Sequence, residues 1–378
     1  MKIIIAPDSF KGSLSAENVA KAIEEGILNV NNNIETCIIP LSDGGEGTVN
    51  NLVKATRGHT VEVEVSDPLF RKITASYGVL GNGKTCVIDT ASASGLFLLS
   101  EAERDPGISS SYGTGQLIKA ALDEGYRDFL IGLGGSATCD GGAGILQALG
   151  ARLPDQKGQE VAFGGVHLKE VDNILFEDFD SRVAESTFIL ASDVVNPLIG
   201  EYGAARVFAP QKGANPELVG KLEDSLQHFA DLIYRETGKM IHNLPGAGSA
   251  GGIGGTLTVF FNAQLERGID LFLKAADFAA KLEGVDLVIT GEGQMDYQTV
   301  YGKTALGVAE SAKKIGIPVI ALVGSIGKGI EQLFDHGIDG VISIINKPMT
   351  LNEAMENSRE LLTAAAEQAV RIFLARKS

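Results

Sequence analysis

Three glycine-rich loops that also carry acids or hydroxyls stand out in this chain: 132–142 (GLGGSATCDGG), 245–255 (PGAGSAGGIGG) and 290–296 (TGEGQMD). Glycine turns sharply and lets bare backbone N–H groups approach an anion, and a helix opening after the loop adds its positive dipole end. Carboxylates and hydroxyls among the glycines suit Mg²⁺, which takes oxygen ligands and usually works with substrate phosphates. The chemistry this combination points to is phosphoryl transfer.

Other loops offer candidate groups. Asp8-Ser-Phe-Lys-Gly-Ser13 follows an apolar run at the carboxyl end of a first strand, where open α/β sheets place ligands. Lys11 there could meet a carboxylate or a phosphate; the plainer reading is a helix cap with a solvated lysine. Asp43 and Glu46, three apart in a glycine turn, could hold a metal or accept a hydroxyl proton, or cap a helix. Arg71 suits bidentate recognition of a carboxylate. Ser92 and Ser94 form a hydroxyl cluster at 90–95, Asp193 ends an apolar run, and Lys212 sits in a Gln-Lys-Gly turn. Glu292 and Asp296 follow a late strand, and Gly302-Lys303-Thr304 opens the next helix. The 246–255 run is equally readable as a close helix-packing surface.

Two pattern matches compete. Residues 78–85 (GVLGNGKT) fit the P-loop expression, but Asn82-Gly83 is hairpin chemistry between two strands, so the match is by chance. Residues 132–137 fit a loose dinucleotide fingerprint with Asp155 downstream, which keeps open an NAD-dependent dehydrogenase acting on a hydroxy acid. Ser136, Thr138 and Asp140 argue against it, since a pyrophosphate turn does not need those oxygens.

The elements that must position these groups alternate at both ends of the 378 residues. Strands are expected at 2–6 and 36–41, with a Ser15-capped helix between them. Others fall at 286–290, 318–323 and 340–345, before a long C-terminal helix opened by the capping box Thr350-Leu-Asn-Glu353. Between them the rhythm is hairpin-like, at 61–65, 73–79 and 85–89, then a helix at 114–124 and a strand at 129–133. Neither end holds enough strands for a sheet alone. The expectation is an α/β protein of two domains: a discontinuous doubly wound domain from 1–60 and 265–378, and an inserted mixed α/β domain at 61–264.

Composition narrows the partners. The 44% apolar and 21% charged content is that of a soluble globular chain, and a formal charge of −16 without a basic stripe argues against nucleic acid. Three widely spaced cysteines support neither a zinc site nor a disulfide framework. The N-terminal apolar run is too short for a secretory segment. A cytoplasmic protein without membrane contact is expected, and homo-oligomer formation is left open.

The segments 6–16 (APDSFKGSLSA), 42–48 (SDGGEGT), 134–138 (GGSAT), 196–198 (NPL), 210–214 (PQKGA) and 289–293 (ITGEG) resemble type I glycerate kinases, in order and through nearly the whole chain. The resemblance implies ATP- and Mg²⁺-dependent phosphorylation of D-glycerate, with the 2-phosphate favoured. It also implies a flavodoxin-like domain with a restriction-endonuclease-like α/β insert. Within that frame Lys11 and Arg71 would grip the substrate carboxylate in an interdomain cleft, with Asp8, Ser92 and Ser94 beside it. Gly134, Gly135, Ser136, Thr138, Lys212, Gly291 and Lys303 would cradle ATP. Asp140, Glu292 or Asp296 would hold Mg²⁺, and Asp193 or Asp43 would take the hydroxyl proton. Gln294 stands where a basic residue often follows Gly-Glu-Gly, so the resemblance implies no cationic phosphate contact from that side chain.

Overall fold

In the computed structural model, residues 1–41, 48–296, 299 and 304–375 are described. Their strands, in chain order, are β1 (Lys2–Ile5), β2 (Glu35–Ile38), β3 (His59–Ser66), β4 (Lys72–Val79), β5 (Thr85–Asp89), β6 (Asp128–Gly132), β7 (Thr187–Ala191), β8 (Gln264–Glu266), β9 (Leu287–Met295), β10 (Val319–Ile326) and β11 (Gly340–Ser343). The fold is α/β, with one parallel and one mixed sheet.

The chain divides into two compact units, Met1–Asp43 with Ile269–Ser378, and Gly44–Gly268. The first boundary falls earlier than the strand rhythm suggests, because the helix Thr48–Thr56 packs on β3, β4 and β5. Its Val49 and Val53 side chains fill the space over Gly78, where a Cβ would meet them at 2.9 and 2.5 Å.

The first unit holds a five-stranded sheet in the order β11-β10-β9-β1-β2. All its pairings are parallel, which in the unit's own strand count is the doubly wound order 2-1-3-4-5. Ile3, Ile4 and Ile5 are all buried, as an inner strand of a parallel sheet covered on both faces requires, so the strand is an unbroken apolar run. Ser15 caps the helix Ala16–Val30 through the Asn18 N–H, and Val19, Ile23 and Ile27 face the core. That core includes Leu362, Ala366, Ala369 and Val370 of the helix Ser358–Ala375. The capping box at Thr350 forms, but its helix is short (Leu351–Glu356) and ends at Asn357 before Ser358–Ala375 begins, so the expected single long helix is two.

In the second unit the order is β3-β4-β5-β6-β7-β8, antiparallel from β3 to β5 and parallel from β5 to β8. Residues 78–85 link two antiparallel strands, which a phosphate-binding strand–loop–helix cannot do. Phe129 stacks on Phe188 with ring centroids 4.7 Å apart, and Phe188 meets Phe261 edge-on at 4.8 Å. The helix Pro216–Thr237 covers this core with Leu222, Leu226, Phe229 and Ile233. No helix among the described residues is long and apolar enough to cross a membrane.

Gly26 tests the helix pair of the first unit. A Cβ there would lie 2.2 Å from the Thr363 carbonyl oxygen and 2.8 Å from the Ala366 Cβ. Alanine gains about 1 kcal/mol of helix propensity but overpacks a backbone-to-backbone contact, so Gly26→Ala should lose about 2 kcal/mol net. Urea unfolding midpoints check this, and an unchanged midpoint would mean that the helices separate freely.

Candidate functional site

The sequence-predicted residues fall into two groups, one in each unit. In the first unit the site grows from the β1–β9 pairing. Parallel hydrogen bonding continues past β1, with Ala6 N–H donating to the Ile289 carbonyl and Asp8 N–H to the Gly291 carbonyl, each at 2.8 Å. This register sets Asp8 beside the Gly291-Glu292 end of β9, on the carboxyl edge of the sheet where its strand order reverses. Asp8 accepts from the Ser9 N–H at 2.6 Å and from the Thr304 hydroxyl at 2.7 Å. Glu292 is buried and accepts from the Thr299 hydroxyl at 3.0 Å.

A cavity of about 720 Å³ opens at this edge, lined by Asp8, Lys11, Glu292 and Gln294 on the polar side. Asp296, the other predicted metal ligand of this unit, accepts from Gln294 Nε2 at 2.9 Å and is not among the lining residues. Sequence reasoning named Thr304 in the Gly302-Lys303-Thr304 motif but missed Thr299 and Ser325. Ser325 lies in the last turn of pairing of β10, so the rule that ligands meet carboxyl strand ends could have found it. Asp43 and Lys303 lie outside the described residues.

The donor set bears on Mg²⁺. Among the described residues no group of three or more His, Cys, Asp or Glu is placed to hold a metal. Mg²⁺ does not need one, since it commonly takes one or two carboxylates and completes its shell with water and phosphate. Two carboxylates with hydroxyls in one cavity fit that mode, so Asp8 and Glu292 could hold such an ion.

In the second unit, β5, β6 and β7 end in register at Asp89, Gly132 and Ala191, so the loops carrying Ser92 and Ser94, Gly134 to Thr138, and Asp193 leave one sheet edge together. Leu96 N–H donates to the Gly135 carbonyl and Ala137 N–H to the Ser94 carbonyl, locking the first two loops. Ser94 is buried against the Thr114 hydroxyl at 2.8 Å, whereas Ser92 is only half-buried. Asp193 accepts from the Gly268 N–H at 2.9 Å.

Lys212 is buried, with Nζ donating to the Ser136 hydroxyl at 2.9 Å and the Thr138 carbonyl at 2.7 Å. Burial pushes its ammonium below the ordinary 10.5, although Asp140 and Cys139 nearby act the other way. The Cys139 thiol is itself pushed up to about 12 by burial, which makes it inert at neutral pH.

Two of the expected residues have partners within the protein. Asp140, expected to bind metal, is buried and accepts from the Ser111 N–H (2.7 Å) and hydroxyl (2.8 Å), the Gly142 N–H (3.1 Å) and the Gly144 N–H (3.3 Å). Three of these donors meet Oδ2 and one meets Oδ1, so this carboxylate organises the loop. Arg71, expected to grip a substrate carboxylate, donates from Nε to Asp67 at 2.5 Å and from Nη1 to Glu103 at 2.6 Å, and these two acids hold its guanidinium firmly charged.

The 245–255 glycines serve packing. Gly251 and Gly252 have left-handed φ values of 71° and 102°, and a Cβ on Gly251 would lie 2.1 Å from the Thr138 carbonyl. Gly141 N–H donates to the Gly251 carbonyl at 3.0 Å, and the Thr256 hydroxyl donates to the Gly141 carbonyl. Two of the three glycine loops thus lie backbone against backbone. The dinucleotide reading also fails here, because residues 133–142 separate β6 from the six-residue helix Ala143–Ala148, and Asp155 folds into a local turn.

The comparisons with known proteins point one way. The model of the glycerate kinase family matches residues 3–374. A glycerate kinase of Halalkalibacterium halodurans is 48% identical over 364 residues, 96% of each chain. A glycerate 2-kinase of Escherichia coli K12 is 43% identical, over 97% of this chain and 96% of its own. A crystal structure provisionally assigned as glycerate kinase 2 of Salmonella typhimurium LT2 superposes with a TM-score of 0.88 at 44% identity, covering 100% of this chain and 99% of that one.

Asp140→Asn should lower stability by about 2–4 kcal/mol, because an amide N–H₂ must face donors that now point at oxygen; a metal ligand lost from an open loop would leave the unfolding midpoint unmoved. Lys212 carries a pH signature. Its folded-state value lies below the unfolded one, so the unfolded chain binds more protons and stability rises with pH from the folded value up to 10.5. Lys212→Met should abolish that rise, as urea midpoints measured from pH 7 to about 10 will show. A difference between parent and variant that is flat in pH would refute the shift.

Proposed function

The chain belongs to the glycerate kinase family, a family of kinases, and from that premise we propose that it transfers the terminal phosphoryl of ATP to D-glycerate with Mg²⁺, giving 2-phosphoglycerate. The observation that carries the reading is the carboxyl edge of the first unit's sheet, where Asp8, Lys11 and Glu292 line one cavity at the reversal of strand order. Mg²⁺ held by Asp8 and Glu292 would offset the charge of the phosphates. Lys11, with Lys303 from outside the described residues, would orient the triphosphate, whereas Gly291 sits within the β9 ladder beneath the cavity. Phosphoryl transfer asks a protein mainly for such positioning and charge neutralisation.

In the second unit we assign the small hydroxy acid to Ser92, Gly135 and Asp193, which keep exposed surface, whereas Ser94, Ser136 and Lys212 are buried. Asp193 is the preferred base for the attacking hydroxyl, with Asp43 as its rival. That the Escherichia coli relative is a glycerate 2-kinase supports phosphorylation at O2. Three unpaired cysteines support a cytoplasmic setting.

Incubation with D-glycerate, ATP and Mg²⁺ should release ADP only when glycerate is present. Phosphorus NMR of the product distinguishes the 2- from the 3-phosphate by coupling to one proton or to two, and a 3-phosphate would overturn the regiochemistry. Replacing the true base by Asn should lower kcat by about 10²- to 10⁴-fold with an unchanged unfolding midpoint. Full turnover by both Asp193→Asn and Asp43→Asn would eliminate this pair.

A further inference from the structure

We propose that the far half of the first unit's cavity is the pocket for the purine ring of the nucleotide, an assignment that rests on the reading of ATP as phosphoryl donor. The cavity is chemically divided. Asp8, Lys11, Glu292 and Thr304 supply its charged and hydroxyl groups, while Ile344 and Ile345 after β11 and Met349, Leu351, Ala354 and Met355 around the helix Leu351–Glu356 supply an apolar wall, interrupted by Thr350 and Ser358.

Glycerate has no use for that wall, because each of its carbons bears oxygen. A cavity of about 720 Å³ also far exceeds a three-carbon acid and lies within the range of sites that enclose drug-sized ligands. A nucleotide has the matching division: a flat ring with apolar faces at one end and a metal-bound triphosphate at the other. Two methionines suit a ring face, since an unbranched thioether adapts to the edge of an aromatic and interacts favourably with it. Leu351 is 75% exposed at the rim, an apolar side chain that a seated ring would cover.

The wall is held against the phosphate side by specific contacts. Ser13 donates to the Met355 carbonyl at 3.0 Å and pairs with the Ser358 hydroxyl at 2.7 Å. Gly12, at φ 80°, leaves room for the Met355 methyl, which a Cβ would meet at 3.2 Å. The loop that presents Lys11 is thus tied to the wall, so the two ends of the ligand are gauged against each other.

Calorimetric titration of the intact protein with MgATP and with magnesium tripolyphosphate, which has no base, tests this. Leu351→Asp puts a charge on the exposed rim without touching the core, and Ala354→Trp fills the pocket. Each should weaken MgATP binding by at least about tenfold while leaving tripolyphosphate affinity, the KM for D-glycerate and the unfolding midpoint unchanged. If the parent binds and uses MgATP and the folded variants bind it equally well, the pocket assignment is wrong and the kinase reading stands. If the parent binds no MgATP, both fall together. Should Ala354→Trp fail to fold, Leu351→Asp decides alone.

Discussion

The pairing of β1 with β9 is the constraint on which the first unit depends. Three buried isoleucines near one end of the chain find their neighbours in Leu287, Val288 and Ile289 near the other, and the ladder runs on past the strand to fix Asp8 against Gly291. No local interaction could put Asp8 and Glu292 on one edge. The hydrophobic demand of an inner parallel strand does so as a by-product of burying its own side chains. The polar site is therefore no more precise than the apolar register beneath it, and a slip of one residue would turn every side chain of the strand to the opposite face.

The second unit solves a different problem, that of holding a sharply turning loop in a dry interior. Asp140 and Lys212 are a carboxylate and an ammonium inside one core, and neither relies on a direct ion pair. The carboxylate is satisfied by backbone amides and a serine, the ammonium by a hydroxyl and a carbonyl. Neutral dipoles already oriented by the fold offset part of the desolvation, which still pushes the Asp140 carboxyl up and the Lys212 ammonium down. The glycines of 245–255 complete this by letting a second loop lie directly on the first.

Much of this was legible in the residues. The alternation at both ends announced a sheet assembled from distant segments, and the motif series pointed to the glycerate kinase family that the comparisons show. Strand centres were readable because β-branched runs between turn residues have few other interpretations. Their ends were less so, and β9 runs five residues beyond its expected end because Gly291 to Met295 look like a loop until β10 pairs with them. The strand β8, three residues long, gave no decisive local signal, whereas the helix Pro216–Thr237 carried one that went unread, with Asn215 as cap, Pro216 in the first turn and a left-handed Gly238 at its end. Site roles were the least legible. An acid in a glycine loop reads alike whether it lines a cavity, as Glu292 does, or meets its own backbone, as Asp140 does; only the donors contributed by distant Ser111 separate them. The methionines near the C-terminus carried no sign of a cavity, because an apolar wall and an ordinary core share one composition.

The insertion of Gly44–Gly268 between the two halves of the first unit has a consequence for synthesis on the ribosome. The second unit is continuous and can close as soon as it has been extruded. The first sheet cannot, since β1 and β2 emerge long before β9, and at roughly 5–20 residues per second that delay is on the order of tens of seconds. Throughout it, an isoleucine-rich strand has an unpaired edge. Nascent chains of this kind are natural clients for holding chaperones, and rare codons or a slower ribosome after residue 268 would lengthen the hazard rather than relieve it.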